Sequence, residues 1–399
     1  MQAKNILLCV CGGIAAYKAI DLASMLHKNG YVVKTVLTDN AQEFVTPLNF
    51  EAITHNSAHT DLYSDNDPIP HISLADWADL VVVCPATANI IAKAAHGLGD
   101  DLLSTVLLAH TKPILFVPAM NVNMYRSVAV QDNLNILQKR GHYIMQPESG
   151  MLACGYEGKG KYPANGEIVA AIATYLRYKQ DLVGKKVLLT AGATVEAIDP
   201  MRFISNRSSG KMGLAFARAL ALRGAEVYLL YANIGLPIPH YLQETVHCLT
   251  AKSMYDAVME RFEAMDWIIK CAAVADYQLA DPSMEKLPKQ AGLCLNLIPT
   301  PDILEELGHK KAPGQKLIGF AAQTENIRAK AFEKFKRKQV DLMVANNINV
   351  AGKDDSEITV IGALPISPEM LSEPQVQFVK LIGDKLTLAH GIIDIINTL

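Results

Sequence analysis

The chain has 399 residues, half of them hydrophobic and 19% charged, with a formal net charge of −3. That length supports two or three domains with full cores, and the near balance of charge excludes a general affinity for nucleic acid or acidic membrane. The N-terminal stretch lacks the regions of a signal peptide, no apolar run reaches membrane-spanning length, and the seven cysteines include no C-x-x-C pair, which together predict a cytoplasmic protein with reduced thiols.

Residues 4–10 form an apolar run of strand length that breaks at Cys11-Gly12-Gly13 and passes straight into a helical stretch. Cys9 and Cys11, on or beside that strand, read as core filler. Further strand-like runs at 32–37, 80–84 and 114–117 are separated by helical stretches such as 19–28 and 90–95. β-branched runs without polar alternation predict buried parallel strands in a doubly wound α/β layer. A helix is expected over 167–179, and the polar stretch that follows places a domain boundary near 180. At 186–190 a second strand start leads into Ala191-Gly192-Ala193-Thr194 and then crosses a long polar loop before its helix at 215–223. Strands are expected at 227–230, 267–271, 317–320 and 342–345, with a charged helix over 328–338. The halves share an architecture without a sequence repeat, so two sites for two different ligands are expected.

Gly12-Gly13 lets a backbone approach a phosphate at a helix start, yet it matches neither G-x-G-x-x-G nor a P-loop and equally suits an ordinary tight turn. Pro85-Ala86-Thr87-Ala88-Asn89 and Pro118-Ala119-Met120-Asn121-Val122-Asn123-Met124 each follow a strand, at the carboxyl edge where open α/β sheets bind ligands. With His71-Ile72-Ser73-Leu74, Trp77-Ala78-Asp79 and Asp100-Asp101-Leu102-Leu103-Ser104, these segments resemble the flavin-dependent cysteine decarboxylase family. The second half extends the resemblance to the bacterial bifunctional phosphopantothenoylcysteine decarboxylase / phosphopantothenate–cysteine ligases.

The resemblance implies two α/β domains, a flavodoxin-like doubly wound parallel sheet over 1–180 and a Rossmann-like ligase domain over 181–399. In the first, FMN oxidises the substrate thiol to a thioaldehyde that acts as electron sink for loss of CO2. By the same match Gly13, Ile14, Ala15, Thr38, Thr87, Ala88, Asn89, Ile90, Ser104, Ala119 and Met120 hold the flavin. His71 matches the catalytic histidine, Asn121 the amide that holds the substrate carboxylate, and Cys154, in the glycine-flanked run 149–155, the last proton donor. These residue types suit proton transfer and carboxylate binding.

Residues 204–213 place hydroxyls, amides and glycine before a helix, which suits a phosphate, although Met212 after Lys211 rules out a Walker motif. By resemblance, a carboxylate attacks the α-phosphate of CTP to give an acyl-cytidylate, and the amine of cysteine then displaces CMP. Lys286 matches the catalytic lysine and Asn206 the amide supporting the acyl-nucleotide. Lys270, Cys271, Ala272, Asp276, Pro301, Asp302, Ile303, Leu304, Phe320, Lys334 and Lys338 match nucleotide contacts. Mg2+ is implied with CTP, its ligands unassigned. Pro288 and Gln323 depart from the lysine and glutamate usual in the family, so the basic loop is stiffer and carries one charge fewer.

The reading is thus a coenzyme A biosynthesis enzyme acting on 4'-phosphopantothenate, cysteine and CTP. Homo-oligomeric packing, trimeric for flavin domains and dimeric for ligase domains, up to a dodecamer, is implied by the resemblance. A non-catalytic flavin-binding regulatory subunit is the competing reading for this fold, and a narrower one keeps only one half catalytic. His71, Asn121 and Cys154, each within its motif, favour the enzyme.

Overall fold

The computed structural model describes residues 3–63, 68–153, 155–289, 292–323, 325–347, 355–363 and 376–399. The chain forms two compact units, Met1–Tyr178 and Lys179–Leu399. Among the described residues, no helix is long and apolar enough to cross a membrane.

The first unit runs β1 (Asn5–Val10), α1 (Ala16–Lys28), β2 (Val32–Leu37), α2 (Asp39–Gln42), α3 (Pro47–Thr54), β3 (Ala58–His59), α4 (Pro70–Trp77) and β4 (Leu80–Ala86). It continues with α5 (Ala88–His96), α6 (Leu102–Ala109), β5 (Leu115–Pro118), α7 (Val122–Arg126), α8 (Val128–Lys139), β6 (Tyr143–Ile144), β7 (Glu148–Met151), β8 (Glu157–Lys161) and α9 (Asn165–Tyr175). Its six-stranded sheet has the order β3-β2-β1-β4-β5-β6, every pair parallel. Without the two-residue edge strand β3, the order is flavodoxin-like, and it reverses between β1 and β4. Ile6–Val10 and Val81–Cys84 are buried on both faces, so the sheet is stable only between two helical layers. Local signals start the helices: Thr87 Oγ1 accepts the Ile90 N–H to begin α5, and Asp101 forms a capping box with Ser104 at α6. The helix expected over 167–179 runs Asn165–Tyr175, and past its end the Arg177 N–H bonds Thr174 O, three residues back, in place of the helical partner four back.

The second unit opens with β9 (Lys186–Ala191). The stretch expected as a polar loop contains a hairpin, β10 (Val195–Ala197) and β11 (Phe203–Ser205), before α10 (Lys211–Leu222). Then come β12 (Glu226–Tyr231), β13 (Glu244–His247), α11 (Ala251–Arg261), β14 (Trp267–Lys270), β15 (Tyr277–Leu279), β16 (Leu297–Pro299) and α12 (Ile303–Lys310). The chain ends with β17 (Lys316–Gln323), α13 (Ile327–Arg337), β18 (Leu342–Asn347), β19 (Asp355–Ala363), β20 (Val376–Asp384) and α14 (Lys385–Thr398). The eight-stranded sheet runs β13-β12-β9-β14-β17-β18-β19-β20. The first six are parallel in Rossmann order, with the reversal between β9 and β14, while β19 and β20 add an antiparallel edge. Alternate residues feed two cores. Val187, Leu189, Leu229 and Ile269 pack with α10 and α14, whereas Leu188, Leu230, Ile268 and Leu317 pack with α11, α12 and α13.

Arg223, just past α10, is only 2% exposed. Its guanidinium pairs bidentately with Asp181 at 2.8 and 2.5 Å and with Asp394 Oδ1 of α14 at 2.6 Å. One cation therefore ties the start of the unit, α10 and the C-terminal helix together. Breaking a fully buried pair costs about 3–5 kcal/mol, but both carboxylates are part-exposed and solvent screens them. Arg223→Ala is therefore expected to lower the stability of this unit by about 2–3 kcal/mol, read from its urea-unfolding midpoint.

Candidate functional site

In the first unit a cleft of about 800 Å³ opens at the β1/β4 reversal, within the roughly 300–1,000 Å³ of small-molecule sites. Each strand end supplies part of the wall. After β1, Gly12 lies under the Thr38–Asn40 turn, where a Cβ would fall 2.5 Å from Asn40 O, while a Cβ on Gly13 would meet open space. Ala15 caps α1 without a side-chain bond, and in that first turn Ala16 N and Lys18 N donate to Gly13 O and Ala15 O at 2.9 and 3.0 Å. Gly13, Ile14, Ala15, Thr38, Thr87, Ala88, Asn89, Ile90, Ala119 and Met120 all line the cleft, as does Asn121.

Ser104, also expected at the flavin, does not line the cleft. It is 1% exposed, and its Oγ accepts the N–H groups of Asp100 and Asp101 at 3.2 and 3.1 Å. It thereby fixes two acids that do line the cleft and that Lys93 neutralises at 2.6 and 2.8 Å. Burial opposes the charge on Lys93, but these bonds outweigh it and raise its pKa. Tyr162 is a wall residue without a local sequence signal; its OH donates to Asn165 Oδ1 at 2.9 Å and accepts from Cys84 Sγ at 3.2 Å. Burial pushes Cys11 and Cys84 up to about 12, so both remain thiols at neutral pH.

One rim is the antiparallel hairpin β7–β8, whose Met151, Leu152 and Ala153 line the cleft. Its glycines lie on the floor: a Cβ on Gly160 would fall 2.4 Å from Met120 O, and one on Gly158 would fall 2.7 Å from Val122 Cγ2. Met120 N donates to Gly160 O at 3.0 Å. Asn121 caps α7, its Oδ1 accepting the Asn123 N–H at 2.8 Å. His71, second residue of α4, is not among the lining residues, and its Nδ1 is shielded from solvent without a hydrogen-bond partner. Cys154 lies outside the described residues.

In the second unit the β9/β14 reversal is stitched by hydrogen bonds. Ala272 N donates to Thr190 Oγ1 at 3.1 Å, Ala273 N to Gly192 O at 2.8 Å and Ala275 N to Thr194 Oγ1 at 2.8 Å. Asn206, immediately after β11, donates from Nδ2 to Val274 O at 3.0 Å, which brings it beside the run from Cys271 to Asp276. Gly210 begins α10 at φ 73°, and Gly213 lets that helix approach β9, where a Cβ would fall 2.4 Å from Ala191 Cβ. Thr300 N donates to Asp276 O at 3.0 Å, so the segment Pro301, Asp302, Ile303 and Leu304 lies beside the same run. Lys286 is exposed, Lys334 half-buried, and Phe320 packs edge-on against Phe216 at 5.7 Å. The side chain of Gln323 lies outside the described residues.

Two lysines expected at the nucleotide are buried. Lys338, 6% exposed, pairs with Asp302 and with Glu305, whose Oε2 lies 2.5 Å away. Lys270 is 8% exposed, and burial lowers its pKa from 10.5 to about 8 despite the opposing influence of Asp302, Cys271 and Asp276. Among the described residues no group of three His, Cys, Asp or Glu side chains is arranged to hold a metal.

Residues 1–177 match the sequence family described as Flavoprotein, and residues 182–396 match the DNA/pantothenate metabolism flavoprotein C-terminal domain. The coenzyme A biosynthesis bifunctional protein CoaBC of Bacillus subtilis is 42% identical over 391 residues, covering 93% of this chain and 96% of that protein. The protein of the same name from Haemophilus influenzae is 42% identical, with 88% of each chain covered. That of Escherichia coli is 40% identical, with 88% of this chain and 87% of its own covered. The solved C-terminal domain of a CoaBC protein aligns with 54% of this chain and 95% of its own at 34% identity and a TM-score of 0.44.

The buried Lys270 gives the second unit a pH signature. An unfolded chain keeps this proton up to about 10.5 and the folded unit only to about 8, so between those values the unfolded state binds more protons and stability rises with pH. Below about pH 8 both states are charged and the burial penalty is fully present. Lys270→Met removes this slope. Between pH 8 and 10 the parent should gain on the order of 1–3 kcal/mol relative to the variant, measured by urea unfolding at each pH. Cys271, pushed up to about 12 by burial, contributes an opposite slope above its ordinary range in both proteins.

Proposed function

The chain belongs to the family of the coenzyme A biosynthesis bifunctional protein CoaBC, and on that premise we propose that its two units perform consecutive steps. The second unit joins 4'-phosphopantothenate to cysteine at the expense of CTP. The first removes CO2 from the condensed product to give 4'-phosphopantetheine. One observation carries the decarboxylase half: the cleft at the β1/β4 reversal gathers, from four separate segments, ten of the eleven residues expected to hold FMN.

The cleft fits such a group. Backbone N–H groups without a side-chain cap at the start of α1 suit a phosphate, and the open space over Gly13 leaves room for one. FMN bound there would supply the two-electron exchange with the cysteinyl thiol that makes loss of CO2 possible. The chain's own residues bind and protonate. The cap bond from Asn123 engages Asn121 Oδ1, and the amide NH2 is the donor for the substrate carboxylate. The hairpin residues Met151–Ala153 cover the site, and Cys154 delivers the last proton. His71 moves protons near neutral pH. It stands outside the lining of its own cleft, and the trimeric packing implied by the resemblance would bring it to the cleft of a second copy.

In the ligase unit the pantothenate carboxylate attacks the α-phosphate of CTP and pyrophosphate leaves; the cysteine amine then attacks the acyl carbon and CMP leaves. Lys286 offsets charge growing at the phosphate, and Asn206, oriented by Val274 O, steadies the acyl-nucleotide. Mg2+ would arrive with CTP and would offset the charge of its phosphates. Lys338, already neutralised by Asp302 and Glu305, shapes the nucleotide wall. The setting is the cytoplasm, in keeping with six free cysteines among the described residues.

The purified chain is expected to be yellow and to release FMN on denaturation. It should release pyrophosphate with CTP, 4'-phosphopantothenate and cysteine, and CO2 from the condensed product. Lys286→Gln should reduce pyrophosphate release at least ~100-fold and leave CO2 release intact. A colourless protein, or loss of both activities in that variant, overturns the assignment.

A further inference from the structure

Lys286 and Asn206 are 80 positions apart, yet a single carboxylate anchors the backbone of both segments. Asp199 lies in the turn between β10 and β11 and is 3% exposed. Its Oδ1 accepts the N–H groups of Met201 and Arg202, each at 2.8 Å. Its Oδ2 accepts the N–H of Leu287 at 3.2 Å and Arg202 Nη2 at 2.6 Å. The same Nη2 donates to Leu287 O at 2.5 Å. Both backbone groups of Leu287, the neighbour of Lys286, are therefore fixed to one turn, directly or through Arg202. Beside it Ser283 N donates to Ile198 O at 3.0 Å, and Ser283 Oγ donates to Glu285 O at 2.6 Å. From the same turn β11 leads directly to Asn206.

Four N–H donors occupy the two oxygens of Asp199, about all that a carboxylate accepts. Burial alone would raise its pKa, but the bonds from Met201, Leu287 and Arg202 outweigh burial and hold it below the usual carboxylate range. Saturated in this way, the carboxylate has no acceptor left for substrate or metal, and its influence passes through the segments it holds. We propose that Asp199 is the positioning residue of the ligase site, setting Lys286 and Asn206 at their working separation with Arg202 as the strut to Leu287. This rests on the roles given to Lys286 and Asn206 above.

The test uses the full chain carrying Asp199→Asn. An amide offers one acceptor oxygen and turns an NH2 toward backbone donors, so one of the two segments is released. Pyrophosphate release at saturating CTP is expected to fall on the order of 100-fold, as for an ångström-scale misplacement, with KM for CTP unchanged within about threefold, because the Pro301–Leu304 wall is not bonded to Asp199. CO2 release by the other unit stays at the parental rate. A turnover within threefold of the parent, or an equal effect on turnover and KM, overturns the proposal. If Asp199→Asn unfolds the second unit, Arg202→Lys answers the same question: it keeps a cation against Asp199 but loses the planar reach to Leu287 O. It should show the same split, smaller in size, and unfolding of this variant too would establish a purely structural role. Lys286→Gln measured alongside separates the two ideas. Full ligase activity there removes the premise, whereas its loss combined with a fully active Asp199→Asn removes only the positioning role.

Discussion

In a doubly wound parallel sheet, the crossovers that leave two adjacent central strands in opposite directions pass to opposite faces, and no helix closes over the carboxyl ends of that pair. Both candidate sites depend on this constraint, which the chain meets at β1/β4 and again at β9/β14. The two crevices are furnished differently. After β1 the backbone goes directly into α1 through two glycines, leaving a cleft at whose edge the helix starts without a side-chain cap. After β9 it first makes a hairpin, and the crevice is filled by backbone-to-hydroxyl stitches from Thr190 and Thr194. The first arrangement suits a group that stays bound, and the second a loop network around a nucleotide that is consumed.

The second unit also concentrates buried charge, and in each case the partner chosen decides what the charge does. Arg223 is paired with two carboxylates and ties α10 to α14 and to the start of the unit. Lys338 is matched by two acids at the start of α12. Lys270 has only more distant acids around it, so burial prevails and its proton is loosely held. A lysine in that state accommodates an arriving anion better than one already paired, because less has to be given up when the anion binds.

Long apolar runs are legible in the sequence because burial on both faces leaves no polar alternation, and β1, β4, β9 and β14 all show it. Their carboxyl ends are legible too, since small and hydroxylic residues interrupt the pattern there. Three-residue strands such as β10 and β11 carry no periodicity and are hidden in what reads as a polar loop. The antiparallel edge β19–β20 is hidden for another reason: β20 is only partly covered, so its residues do not form an apolar run. Asp199 is one acid among many until its four donors, three of them from its own turn and one 88 positions away, are brought to it. Ser104 shows the opposite case. Its motif reads as ligand-binding, yet Asp101 and Ser104 form a helix capping box, and the residues it steadies are the ones that reach the cleft. His71 sits in its motif but away from the cleft lining, since a local pattern carries no information about which surface a helix start will face.

The glycines of β8 set a dimension of the first site. Because Gly160 rests on Met120 backbone to backbone, with Met120 N bonded to Gly160 O, the hairpin stands one peptide's thickness above the floor. A side chain at position 160 would part β8 from the Met120 backbone, so the seat of the hairpin is a main-chain contact that only glycine permits.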